Sequence, residues 1–110
     1  MSDHFIPVTD TAAIDQLLEQ SHTAPVLVFK DDPYCPISMT ARRQLGQLDY
    51  DIPTIDVAHD NDVAQAIASR IGVKHASPQA ILLRNGQAVW SASHHAITAN
   101  AVTQATREHG

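Results

Sequence analysis

Apolar residues recur along the chain at two kinds of spacing, and these predict alternating helices and strands. Spacings of three and four residues predict four helices, which begin near residues 11, 36, 61 and 99. Short, nearly continuous apolar runs at 25–30, 52–57 and 79–84 predict strands that are buried on both faces. Segments 5–8 and 88–91 predict two further strands, the first at a sheet edge where a proline is tolerated.

Glycines and polar residues mark the ends of these elements. Gly46 ends the second predicted helix, and Gly72 stands where a helix end favours a left-handed residue. The pair Asn85-Gly86 predicts a tight hairpin turn. Because the first two central strands are separated by a helix, we expect them to be parallel, whereas the hairpin adds antiparallel strands. The order predicts a three-layer α/β fold with a mixed sheet of four or five strands and about four helices.

Length and charge restrict the classes of function. The chain has 110 residues and a mass of 11.9 kDa, so we expect a single domain over residues 1–110 with its core at about 5–108. Its net charge of −5 gives no basic surface for nucleic acid or an anionic membrane. No apolar run has the length of a membrane span, and the first ten residues lack a signal-peptide pattern. We therefore expect a cytoplasmic protein with no nucleic-acid or membrane partner.

The chain contains one cysteine, Cys35, so neither an internal disulfide nor an all-cysteine metal site is possible. Cys35 follows a strand and a polar turn, and Pro36 after it suits the first position of a helix. Unpaired N–H groups and the helix dipole at such a position stabilise a thiolate. The Ser38 hydroxyl is expected to donate a hydrogen bond to that thiolate, while Asp31 and Asp32 would repel it. A free cysteine is otherwise usually an inert core residue, but the polar turn favours a reactive thiol.

A second informative segment, at 72–79, leads into the third central strand. Ser77 precedes Pro78, and an X-Pro bond can be cis at modest energetic cost. A cis bond directly before a strand would have a structural role. The alternative is an ordinary trans bond in a loop.

Together the two segments resemble the thioredoxin superfamily, with Cys-x-x-Cys/Ser at a helix start and a cis-proline loop before a hairpin. The closer resemblance is to the monothiol bacilliredoxin (YtxJ-like) family, and it spans about residues 11–106. It departs from the family at 31–34, where the family usually carries a His/Ser/Thr-type turn. The matching motifs are Phe-Lys at 29–30, Cys-Pro-Ile-Ser at 35–38, Gly-Val-x-His-x-Ser-Pro-Gln at 72–79, Asn-Gly at 85–86 and Trp-x-Ala-Ser-His-x-x-Ile-Thr at 90–98.

The resemblance implies a thioredoxin-like fold and thiol–disulfide exchange. In such a reaction the Cys35 thiolate attacks a mixed disulfide on an S-thiolated client protein, and bacillithiol is the co-substrate. Because the chain has no second cysteine, no intramolecular disulfide can form, so another low-molecular-weight thiol must regenerate Cys35. Ser77 and Pro78 would lie opposite Cys35, where the Ser77 backbone pairs with an extended substrate.

The resemblance also assigns roles to neighbours of Cys35. Lys30 would pair with the thiolate or with the carboxylates of bacillithiol, or would be a solvated lysine at a strand end. His75 would donate to substrate or hold its loop through backbone hydrogen bonds. His94 matches the Ser-His of the family and, with Pro36, is placed among the substrate-binding residues. For Arg42 we expect a surface salt bridge.

Two other kinds of function are alternatives for a protein with one reactive cysteine. Cys35 would serve a redox-sensing or adaptor module if its S-thiolation changed the affinity for a partner. A glutaredoxin-like iron–sulfur site is disfavoured because Pro36 is bulky and lacks an N–H. Seven histidines are present, but none has the spacing of a metal-binding pair on one helix, so no metal is expected. If bacillithiol is not the thiol used, glutathione or coenzyme A are the alternatives.

Overall fold

The computed structural model describes residues 4–110, and within them strands and helices alternate as the hydrophobic pattern predicts. Residues 1–3 lie outside the described residues. They are part of the predicted domain and of the first ten residues, which lack a signal-peptide pattern. No helix in the described part is long and apolar enough to cross a membrane. The elements are β1 (Phe5–Pro7), α1 (Thr11–Gln20), β2 (Val26–Asp31), α2 (Pro36–Leu45), β3 (Ile52–Asp56), α3 (Asn61–Ile71), β4 (Gln79–Arg84), β5 (Gln87–Ser93), a 3₁₀ turn (His94–Ala96) and α4 (Ala99–His109).

The strands form one mixed sheet in the order β1-β3-β2-β4-β5. β3 is parallel to both β1 and β2, whereas β2–β4 and β4–β5 are antiparallel pairs. The parallel β2–β3 pair and the antiparallel hairpin are therefore confirmed, and β2 lies at the centre of the sheet. The sheet has helices on both faces, so the predicted three-layer α/β architecture is also confirmed.

Each face of the sheet packs against its own pair of helices. Successive β2 side chains point to opposite faces, so Phe29 joins a core with α2 and α4, while Val28 joins a core with α1 and α3. Both residues are fully buried. Burial on both faces explains why β2 is an uninterrupted apolar run rather than an alternating one.

Some ends of the elements match the prediction and others differ from it. Gly72 adopts the predicted left-handed conformation with φ of 69°, but Gly46 ends α2 with φ of −64° and is right-handed. Asn85 and Gly86 both have positive φ, as a type I′ hairpin turn requires. β5 is longer than expected, and Asp31, predicted to begin a turn, is the last residue of β2.

The hairpin turn is joined to the α1–β2 loop through Ser21, which is fully buried. The Ser21 hydroxyl donates to the Leu18 carbonyl at 2.5 Å and accepts from the Gly86 N–H at 2.8 Å. Its carbonyl accepts from the Asn85 N–H and from Arg84 Nη1. The Ser21 side chain therefore joins the last turn of α1 to the hairpin turn, and its backbone carbonyl adds two further bonds to the hairpin.

We predict that Ser21→Ala lowers the free energy of unfolding by about 1–3 kcal/mol, because it leaves the Gly86 N–H without its acceptor. Urea denaturation measures this change. Ser91→Ala, at an exposed position of β5, is the matched control and should change stability by less than about 0.5 kcal/mol. Equal stability of the two variants would contradict the proposed role of Ser21.

Candidate active site

Cys35 is the N-cap of α2 and is half-buried with a free thiol. Its carbonyl accepts the N–H groups of Ser38 and Met39, which makes it the first hydrogen-bonded residue of the helix. Its side chain accepts no capping hydrogen bond. Pro36 follows at the first helical position, as predicted, and is exposed. The thiol therefore stands at the positive end of the α2 helix dipole.

Ser38 does not direct its hydroxyl proton to Cys35. The Ser38 Oγ, which has no exposed surface, donates to Asp31 Oδ1 at 2.6 Å and accepts the Asp32 N–H at 2.9 Å. The expected hydrogen bond from Ser38 to the thiolate is therefore wrong, because the carboxylate is the stronger acceptor and lies on the same face of the sheet. Ser38 instead fixes the first turn of α2 to the end of β2.

Arg42, one turn after Ser38 on α2, also binds Asp31. Its Nη1 lies 2.7 Å from Asp31 Oδ2, which is the salt bridge expected of Arg42. Its guanidinium also lies 4.1 Å from the ring centroid of Phe5 in β1. The Asp31 carboxylate, expected to repel a thiolate, is thus balanced by a cation and a hydroxyl donor.

Lys30 is neither solvated nor available to a substrate carboxylate. The residue is fully buried, and its Nζ lies 3.1 Å from His75 Nδ1. Pairing with a substrate carboxylate and a solvated lysine are therefore both wrong, because the loop after α3 covers the end of β2. Within residues 4–110, Lys30 also forms no hydrogen bond with Cys35, the third expected role. Burial lowers the pKa of Lys30 from 10.5 to about 8. Burial and, next, the positive charge of Lys30 lower the pKa of His75.

The bond between Ser77 and Pro78 is cis, as the sequence allowed. Within residues 4–110, the backbone N–H and carbonyl of Ser77 form no backbone–backbone hydrogen bond. The Pro78 carbonyl accepts the N–H of His94, whose own side chain is exposed. His94 begins the 3₁₀ turn, which packs against α2. The substrate-binding roles of Ser77, Pro78, His94 and Pro36 stay predictions.

Sequence reasoning missed two features of this region. It placed Asp31 in a turn, although Asp31 connects β2 with α2, and the only available signal was its position directly after a buried strand. It also assigned no role to Gln79, whose Nε2 donates to the Lys74 carbonyl at 3.1 Å. The Gln79 Oε1 is buried without a hydrogen-bond partner. No group of three or more His, Cys, Asp or Glu side chains in the described residues could hold a metal ion.

Comparison with known proteins gives one family and one fold. The family model of monothiol bacilliredoxin BrxC matches residues 6–102. A solved structure described as a candidate oxidoreductase with a thioredoxin fold is 31% identical, with a TM-score of 0.81 and 92% of each chain covered. Thioredoxin of Fasciola hepatica is 13% identical, with a TM-score of 0.74 over 94% of this chain and 98% of its own. Thioredoxin of Schistosoma mansoni is 18% identical, with a TM-score of 0.72 over 94% of each chain.

We predict that the stability of the protein rises between pH 8 and 10.5 through Lys30. In this interval the unfolded chain still binds the lysine proton that the folded protein has released, so raising the pH favours folding, by at most about 3 kcal/mol. Urea denaturation at pH 7.5 and pH 10 measures the change. Lys30→Met should lose this increase, and Lys74→Met, at an exposed lysine, should keep it. The same pH dependence in Lys30→Met and the wild type would contradict the assignment.

We predict that Ser38→Ala lowers the free energy of unfolding by about 1–3 kcal/mol, since Asp31 loses a donor and the Asp32 N–H loses its acceptor. Thr40→Ala, an exposed hydroxyl residue on the same helix, should change it by less than about 0.5 kcal/mol. Thermal and urea unfolding of the two variants measure the difference. A loss in Ser38→Ala no larger than that in Thr40→Ala would show that these hydrogen bonds do not stabilise the fold.

Proposed function

Because the chain belongs to the monothiol bacilliredoxin family, we propose that it removes bacillithiol from mixed disulfides on client proteins, with Cys35 as the nucleophile. The observation that carries this proposal is the position of the single thiol. Cys35 caps α2, is half-buried, and comes four residues after the end of β2, beside which the cis Ser77-Pro78 bond leads into β4.

In the first step the Cys35 thiolate attacks the bacillithiol sulfur of the mixed disulfide. A sulfur–sulfur bond forms between Cys35 and bacillithiol, the original disulfide breaks, and the client leaves as a thiolate that takes up a proton. In the second step another low-molecular-weight thiolate attacks this new disulfide. The products are a low-molecular-weight disulfide and the free Cys35 thiolate, so one disulfide is consumed and one is formed in each step.

The surroundings of Cys35 support such a cycle. The helix dipole of α2 favours the thiolate as nucleophile and as leaving group. The unpaired N–H and carbonyl of Ser77 offer an extended client or thiol the pairing that a strand edge provides. Ser38 occupies the place of a second thiol, and its hydroxyl is bonded to Asp31. The resolving thiol must therefore come from solution.

We predict that the protein releases the thiol of a bacillithiolated client peptide many times per Cys35 when free bacillithiol is supplied. Cys35→Ser should reduce the rate at least about a hundredfold, because a hydroxyl at neutral pH is a far weaker nucleophile than a thiolate. Thr40→Ala, which leaves Cys35 and its surroundings in place, is the control and should keep the wild-type rate. Thiol release is followed by mass spectrometry of the peptide.

The same assay separates the alternatives. One release per Cys35 with no turnover would contradict the enzyme and indicate a redox-sensing module. Peptides that carry glutathione or coenzyme A in place of bacillithiol test the identity of the thiol, and faster release from one of them would overturn the assignment of bacillithiol. An unchanged rate in Cys35→Ser would overturn the role of Cys35.

A further inference from the structure

Lys30 is a buried cation whose ammonium has one hydrogen-bond partner within residues 4–110. None of its surface is exposed, and Nζ lies 3.1 Å from His75 Nδ1. Burying an ammonium group is unfavourable unless a partner compensates for its lost hydration. Removing His75 from this contact would leave the charge uncompensated, so Lys30 strongly restricts where the His75 imidazole can lie.

The loop that carries His75, residues 72–78, depends on side chains for its position. Residues 73–77 form no backbone–backbone hydrogen bond with any described residue. Two side-chain bonds join the loop to the sheet: Lys30 to His75, and Gln79 to the Lys74 carbonyl. Lys30 and Gln79 are directly opposite each other in the β2–β4 ladder, so both side chains point to the same face.

The same register places this loop beside the candidate active site. Gln79 pairs with Lys30, so the preceding Pro78 enters the sheet next to Asp31 at the end of β2. The chain leaves β2 at this point and reaches Cys35 four residues later. A shift of the loop would therefore displace Ser77 relative to Cys35.

We propose that Lys30 is a positioning residue for the exchange reaction: by binding His75, it holds the loop so that the Ser77 backbone is placed to bind the substrate beside Cys35. The proposal rests on the proposed function for its substrate, and it adds a buried residue that acts without touching that substrate. The ammonium donates to Nδ1, so the imidazole must be neutral and carry its proton on Nε2.

The surroundings favour this protonation state at neutral pH. Burial and the charge of Lys30 both lower the pKa of His75, so its imidazole is neutral at pH 7. Below that pKa, Nδ1 carries a proton, cannot accept a hydrogen bond, and is repelled by the ammonium. Lys30 is flanked in the sheet by uncharged Gln79 on β4 and apolar Ile55 on β3, and the loop itself adds exposed Lys74. The α3 side chains in the core on this face are apolar, while Asp31 and Asp56 line a cavity with Arg42 on the opposite face of the sheet.

The test compares four variants. Lys30→Met and His75→Leu remove the contact, His75→Asn keeps an acceptor near the place of Nδ1, and Lys74→Met is the control for loss of a lysine charge. Three quantities are measured for each: the backbone ¹⁵N order parameters of residues 73–77, the rate of reaction with a peptide disulfide-bonded to bacillithiol, and the rate of alkylation of Cys35 by iodoacetamide. Alkylation reports on the thiol without requiring the loop.

We expect Lys30→Met and His75→Leu to lower the order parameters of residues 73–77 from the rigid range of about 0.85 toward about 0.6. Both variants should react with the mixed disulfide about threefold to tenfold more slowly, which corresponds to one lost hydrogen bond. Alkylation should stay within about a factor of two of the wild type. His75→Asn should recover at least half of the lost rate. Lys74→Met should match the wild type in all three measurements.

The pH profile separates positioning from a general loss of packing. The wild-type rate of reaction with the mixed disulfide, divided by the alkylation rate at the same pH, should fall as the pH drops through the lowered pKa of His75. His75→Asn should not show this fall. Wild-type order parameters and wild-type reaction rates in Lys30→Met, or a His75→Asn variant as slow as His75→Leu, would overturn the proposal. If the wild type does not react with the mixed disulfide at all, the proposed function fails, while the order parameters still show whether Lys30 fixes the loop.

Discussion

The candidate site depends on the last two residues of the central strand. Lys30 and Asp31 are consecutive in β2, so their side chains point to opposite faces of the sheet. Asp31 binds Ser38 and Arg42 of α2 on one face, and Lys30 binds His75 of the loop at 72–78 on the other. The thiol-bearing helix and the loop opposite it are thus fixed to one short piece of backbone.

This arrangement places charged groups where the strand is still buried. Lys30 has no exposed surface, and the Asp31 side chain is 14% exposed. Each has a partner: Asp31 forms an ion pair with Arg42, and Lys30 donates to the His75 imidazole. Such partners compensate in part for the hydration that a buried charge loses. The geometry is specified tightly for the same reason, since any displacement of α2 or the loop separates a charge from its partner.

The sequence was sufficient for the fold and for the location of Cys35. The buried strands, the Asn85-Gly86 turn and the proline at the start of α2 each have a local signal that depends on few neighbours. The partners of Ser38 and Lys30 have no such signal. Lys30 stands at the end of an apolar run, where strands commonly emerge into solvent, and only the path of a loop 45 residues later buries it. Ser38 was one turn from Cys35, but its hydroxyl binds a carboxylate seven residues back in a different element.

The two hydrogen bonds of Ser38 show what a cysteine at this position would lose. A thiol is a weak hydrogen-bond donor and a weak acceptor. At this fully buried position it would leave the Asp31 carboxylate with a poor donor and the Asp32 N–H with a poor acceptor. The serine hydroxyl serves both groups, and in doing so it sets the orientation of the helix that begins at Cys35. The position that a second thiol would take in a Cys-x-x-Cys pair is thus occupied by the residue that joins α2 to β2.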